Sequence, residues 1–240
     1  ENTAFHNWRA AVQQSGVLVL QKKMPWDDCR AFSLADGDLV PVIVLNTEDG
    51  FRGRIFSLFH EYAHLVLKTP GTCVAGPGTD ELRVERWCNR FAAAFLLPAT
   101  HLQRSVALEI PDSRTHFWTE SDVMKLAYRY HVSVFVMGIR LKELGITDLY
   151  DSGKYAWYRG DRRKQASGRL ERPGEFKRTP KERVVLRELG FGATSIVLEA
   201  VKNDVIEPGD ASDILDVEVT RLSRLYELAR EQRRAHTAVA

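Results

Sequence analysis

Arg52-Gly53-Arg54-Ile55-Phe56-Ser57-Leu58-Phe59-His60-Glu61-Tyr62-Ala63-His64-Leu65-Val66-Leu67 is the stretch on which the reading of this chain turns. Ile55, Phe56, Phe59, Ala63 and Val66 or Leu67 recur at helical spacing, and Thr69-Pro70-Gly71 follows as a terminator. Inside this predicted helix, His60 to His64 fits H-E-x-x-H. Residues four apart on a helix are separated by about 40° of rotation, so both imidazoles point the same way and can share one tetrahedral zinc ion. Glu61, rotated by about 100° from His60, flanks that face. There it can accept a proton from water activated by the metal and deliver it to a leaving amine.

A catalytic zinc needs a third protein ligand and an open fourth position. A second predicted helix, from about Asp80 to Leu97 and stopped by Pro98, offers carboxylates at Glu81 and Glu85. Glu85 lies at the edge of the apolar face, on the side of Cys88, Asn89 and Ala92, and is the expected ligand; Glu81, one turn earlier and nearer the loop, is the reserve. No HxxGxxH pattern follows His64, so a distant carboxylate is expected in preference to a nearby histidine. Helical histidines are more often surface or satisfied core groups than ligands. The second helix with its carboxylate tips the balance toward metal.

Before this pair of helices, Ala4, Phe5, Trp8, Ala11 and Val12 predict a helix stopped at Gly16, and Val17 to Leu20 a strand. Ala31 to Leu34 and Val40 to Leu45 flank Asp36-Gly37, a hairpin signal. A small sheet followed by helices is an α+β arrangement. Val40 to Leu45 is the candidate strand for holding an extended peptide; Pro41 lacks an N–H and would suit a sheet edge, and the sequence leaves open whether the strand lies at the edge or the centre. Beyond Pro111, helices are expected near Val123 to Ala127 and over about Val134 to Leu144, and then over about Pro180 to Leu189, Ser195 to Asn203, Asp210 to Leu215 and Glu218 to Arg234.

Two phrases, Arg54-Ile55-Phe56-Ser57-Leu58-Phe59-His60-Glu61-Tyr62-Ala63-His64-Leu65 and Glu85-Arg86-Trp87-Cys88-Asn89-Arg90-Phe91-Ala92-Ala93-Ala94-Phe95-Leu96-Leu97-Pro98, resemble the ImmA/IrrE family of zinc metallopeptidases. The family pattern reads R-x-F-T-L-x-H-E-x-x-H, then E-x-x-x-N-x-F-A-x-x-x-L-x-P, and the resemblance covers about residues 1 to 104. Ser57 stands where the family often has Thr, and Cys88 where Ala is common. The resemblance implies a zincin-like fold: a small antiparallel or mixed sheet on an HExxH helix and a second ligand helix, before a mainly helical C-terminal part. It also implies a gluzincin-like endopeptidase with His60, His64 and Glu85 on Zn2+ and Glu61 as general base. Its implied partner is a helix-turn-helix (Xre-type) repressor or antitoxin, whose cleavage would release genes for stress response or mobile-element functions. The organisation expected is a metallopeptidase domain over 1–110, a helix-turn-helix-like segment over 111–150, and a basic linker with a C-terminal helical domain over 151–240.

The 240 residues carry 34 Lys and Arg against 32 Asp and Glu, a formal charge of +2, which excludes a globally basic histone-like protein. Residues 159–183 hold ten of the basic residues against four acids, making this segment the candidate site for nucleic acid or another anion if it is more than a solvated face. Asp122 to Gly145 reads like a helix-turn-helix, but Val134-Phe135-Val136-Met137 is too apolar for a DNA-reading first turn, so packing or substrate docking is expected. Three cysteines without a CxxC pair fit a reducing, cytoplasmic setting, and no apolar run approaches the roughly 20 residues of a membrane span. Because the chain starts at Glu1 and not Met, a trimmed protein or a fragment is expected. His101, His116, Tyr128 and Tyr158 are candidate oxyanion donors, none decided by the sequence. Two other classes compete with the endopeptidase. One is a DNA-binding or sensor regulator whose peptidase-like domain binds without efficient cleavage; the other is a zinc amidase acting on small peptides.

Overall fold

The computed structural model describes residues 2–25, 29–37, 39–68, 79–110, 117–149 and 179–237, with side chains omitted at 79–81 and 232–237. Helix α1 (Asn2–Gln14) leads into strand β1 (Leu18–Lys22), followed by β2 (Ala31–Leu34) and β3 (Val42–Asn46). Helices α2 (Phe51–Leu67), α3 (Thr79–Leu96), α4 (Ala99–Glu109), α5 (Glu120–Arg129) and α6 (Val134–Glu143) come next. The C-terminal part contains α7 (Lys181–Glu188), α8 (Gly190–Lys202), α9 (Pro208–Leu215), a 3-10 turn (Val219–Arg221) and α10 (Leu222–Thr237). The fold is α+β, with one small mixed sheet.

The sheet order is β1-β3-β2, with β1 parallel and β2 antiparallel to β3. The order decides what the sequence left open for Val40 to Leu45: the strand formed there is central, so it is not the edge along which an extended peptide could pair. Ile43, Val44, Leu45 and Asn46 are all buried, as an inner strand covered on its faces demands. Pro41 precedes the strand, where its missing N–H is not needed; its carbonyl accepts a hydrogen bond from the Leu18 amide at 2.8 Å. The hairpin signal is realised between β2 and β3, with Leu34 opposite Val42 and Gly37 at φ 50° in the turn.

Helix α4 is absent from the sequence expectation, which took Pro98 only as a stop. Pro98 ends α3 and also caps α4, its carbonyl accepting from the Leu102 amide, because a proline costs nothing where the first-turn amides have no helical partner. Thr119 and Asp122 form a capping box on α5, and Ser133 caps α6. Val134, Val136, Met137 and Leu141 of α6 are buried against the main core, so this face is unavailable to a DNA groove.

One apolar cluster runs from Phe5 to Leu141 and takes in α5 and α6 together with the sheet and α2. A second, from Val185 to Ala229, belongs to the C-terminal helices. The two parts meet at β1, against which α7 and α8 pack. Arg9 pins the contact: its guanidinium donates to Val19 O at 3.0 Å, Arg187 O at 3.1 Å and Glu188 O at 3.2 Å. The last two are C-terminal carbonyls of α7, the negative end of its dipole. Gly190, at φ 77°, leaves no room for a Cβ beside that guanidinium. Gln21 adds a bond from Nε2 to Arg187 O at 2.7 Å. The edge of β1 is therefore covered, and among the described residues no strand pairs with the outer edge of β2.

Most of the basic segment 159–183, through residue 178, lies outside the described residues, as do His116 and Tyr158. No described helix is long and apolar enough to cross a membrane.

Candidate metal centre

Helix α2 buries polar residues where an ordinary core helix buries only apolar ones. His60, Glu61 and His64 are all buried, Glu61 at 1 % exposure, among Ile55, Leu58, Phe59 and Ala63. Buried polar groups are costly unless each finds a partner. The partners come from two of the elements packed on α2, strand β2 and helix α3.

Helix α3 approaches closely because it presents small buried residues, Cys88, Ala92 and Ala93. Further along, Phe95 stacks on Phe59 with ring centroids 4.4 Å apart, and Trp8 of α1 meets both rings edge-on, at 5.1 Å from Phe59 and 5.8 Å from Phe95. This aromatic cluster sets the position of α3 and, two to three turns back, of Glu85. The Glu85 carboxylate lies 3.2 Å from His60 Nε2 through one oxygen and 3.2 Å from His64 Nε2 through the other. The two Nε2 atoms are 3.3 Å apart.

These separations suit a common cation. A tetrahedral ion with bonds of roughly 2.0–2.1 Å spaces its ligand atoms roughly 3.3 Å apart. Among the described residues, His60, His64 and Glu85 form a group of ligand atoms all within 4.8 Å of one another. Asn89, one turn after Glu85, accepts from His60 Nδ1 at 3.1 Å. An amide oxygen can only accept, so the proton sits on Nδ1 and the Nε2 lone pair is turned to the site. Burial lowers the pKa of His60, against the upward pull of Glu85 and with a further downward push from His64, which favours the neutral imidazole that a metal needs. A partly buried carboxylate supplies the negative charge.

Residues 12–142 match the family model of Peptidase_M78, the IrrE N-terminal-like domain, over more than half of the chain. The chain belongs to this family. The Peptidase_M78 match spans the sheet, both helices of the site and the α5–α6 pair, and it supports a metallopeptidase-like role. No curated protein matches the chain.

The sequence thus named four residues of this Peptidase_M78 chain that stand together in space: His60, His64 and Glu85 around one point, and Glu61 beside them on α2. The reserve ligand Glu81 has no described side chain. Cys88 is fully buried on α3, and burial followed by the charges of Glu85 and Glu61 pushes its thiol up to about 12, so it stays protonated and outside the ligand group. His101 is exposed on α4, and Tyr128 is exposed on α5 under the Arg52 guanidinium at 4.0 Å. Two further residues had no assigned role in the sequence reading. Asn89 carried a signal, its i+4 spacing from Glu85. Ser33, whose hydroxyl donates to Glu61 Oε2 at 2.8 Å, carried none, because its proximity depends on how β2 pairs. A cleft of about 350 Å³ between α8 and α10, lined by Phe191, Lys202, Tyr226 and Arg230 among others, lies in the C-terminal part and includes none of these residues.

Proposed function

We propose that this chain is a zinc-dependent endopeptidase acting on a regulatory protein, a helix-turn-helix repressor or antitoxin. The observation that supports it most is the convergence of His60 Nε2 and His64 Nε2 of α2, the helix that also carries Glu61, with the Glu85 carboxylate of α3 at tetrahedral ligand spacing. Two imidazoles and one carboxylate are a donor set suited to zinc, and three protein ligands leave a fourth position open. A zinc ion held there would supply Lewis acidity, lowering the pKa of water to about 7 and polarising the scissile carbonyl.

The chain's own residues do the rest. Asn89 orients His60 and fixes its tautomer. Glu61, buried at the side of the ligand group, takes the proton from the attacking water and delivers it to the departing amine, which needs a carboxylate held away from bulk solvent. The outer edge of β2 offers backbone groups to an extended peptide, and β1 does not, since α7 and α8 cover it. Exposed Leu34, Leu39 and Val40 at the end of that hairpin give an apolar surface for a substrate side chain.

The test starts with a small helix-turn-helix protein encoded beside this gene as substrate. The expected result is about one zinc per chain, cleavage that a chelator stops and zinc restores, and a Glu61→Gln variant that keeps its zinc and loses cleavage. A Glu61→Gln variant with full activity overturns the assignment of Glu61, and a chain that takes up no zinc overturns the reading as a whole.

A further inference from the structure

Ser33 occupies an inward-facing position of β2, where the alternation of the strand calls for an apolar residue. It is 2 % exposed, and its described side-chain partner is the Glu61 carboxylate, at 2.8 Å. It stands opposite Ile43 of β3, and among the described residues no strand pairs with the other side of β2. The terminal torsion of a glutamate is soft and broad. Once one carboxylate oxygen accepts from a hydroxyl held by a strand, that torsion is set, and the direction of the second oxygen is set with it.

We propose that Ser33 is a positioning residue, whose hydroxyl orients the Glu61 carboxylate and ties the proton-moving group to the strand along which substrate pairs. The proposal rests on the peptidase reading above. It adds a link between the two halves of the site: a peptide hydrogen-bonded to the edge of β2 stiffens the backbone that carries Ser33, and through Ser33 steadies Glu61. Hydrogen bonds to an ionised acceptor are the strong ones, and catalytic geometry loses rate steeply with small misplacement, so a single hydroxyl suffices for such a role.

The test uses the zinc-loaded full chain and acetohydroxamic acid, a zinc-directed probe whose acidic proton a carboxylate in the place of Glu61 accepts. Dissociation constants are measured by calorimetry for the wild type, Ser33→Ala, Glu61→Ala and the double variant. Ser33→Ala is expected to keep its zinc and to bind the probe about ten-fold more weakly. Glu61→Ala is expected to lose at least as much, and the double variant no more than Glu61→Ala alone. Should Ser33→Ala fold poorly, Ser33→Thr against Ser33→Val poses the same question with a pair of near-equal volume, Thr binding as the wild type and Val as the loss. On the repressor substrate, Ser33→Ala lowers kcat and leaves KM unchanged. Probe binding by Ser33→Ala equal to the wild type, or an equal loss with and without Glu61, overturns the proposal while leaving the peptidase reading intact. A wild type without zinc, or unchanged probe affinity in Glu61→Ala, overturns the peptidase reading and the role of Ser33 with it.

Discussion

Asn89 holds His60 from behind, and its loss leaves both imidazoles in place but frees one ring to turn. Asn89→Ala is therefore expected to weaken zinc affinity by about 10–100-fold without unfolding the chain, as read by competition with a chromophoric chelator. His60 carries a second prediction. Burial, the largest cause, holds its pKa below 6.5, so below that pH the unfolded chain binds more protons than the folded one. Stability of the metal-free protein should rise with pH through the window under about 6.5 and be lost as pH falls through it, which thermal melting on either side of the window checks. Cys88, with its thiol pushed up to about 12 and no exposure, should resist a thiol reagent at pH about 8 until the chain is unfolded. A variant lacking Cys29 and Cys73 isolates that measurement. At this scale the sequence was most readable where chemistry repeats at helical spacing, as in His60 and His64. It was silent on Ser33, because a serine in a strand has no periodic signature and its partner lies 28 residues away.

Helix α2 begins against a loop carboxylate. Asp49 accepts from the Gly50 amide at 2.9 Å, and a Cβ added at Gly53 would overlap its carboxylate. Gly53→Ala must displace Asp49 and is expected to destabilise the chain by about 1–3 kcal/mol despite the higher helix propensity of alanine, as denaturant unfolding would show. The element boundaries were legible wherever a local signal set them: α2 and α3 fall within about a residue of expectation, and β2 runs over the four residues read as strand. What was not legible was non-local. Pro41 argued for an edge by its missing donor, yet it precedes the strand and leaves the ladder untouched. That β1 lies parallel to β3, with β2 on the far side, depends on pairings between segments about 24 residues apart, which no short pattern encodes.

Among the described residues, two apolar cores are joined across β1, and the join turns on the buried cation of Arg9. Arg9 keeps its charge, since burial and then Arg54 lower its pKa only to about 10, and backbone carbonyls rather than a carboxylate surround it. Arg9→Met keeps much of the stem and loses these bonds, so roughly 1.5–3 kcal/mol of docking should disappear. Hydrogen exchange is the measurement: amides of β1 and α7 should exchange faster while those in the middle of α2 do not, and uniform protection throughout would contradict the role given to Arg9. None of this was visible beforehand, because Arg9 in a helical stretch reads as a solvated surface residue.

Trp8 has a consequence of its own. It is no member of the ligand group, yet its ring closes the cluster of Phe59 and Phe95 that holds the two ligand-bearing helices in register. Capture of a metal is in this way a gauge of how firmly the first helix is seated. Anything that loosens that helix, whether heat, a truncation or a partner that grips it, acts on the affinity of the centre from a distance, and the indole of Trp8 is a built-in fluorophore for watching it happen.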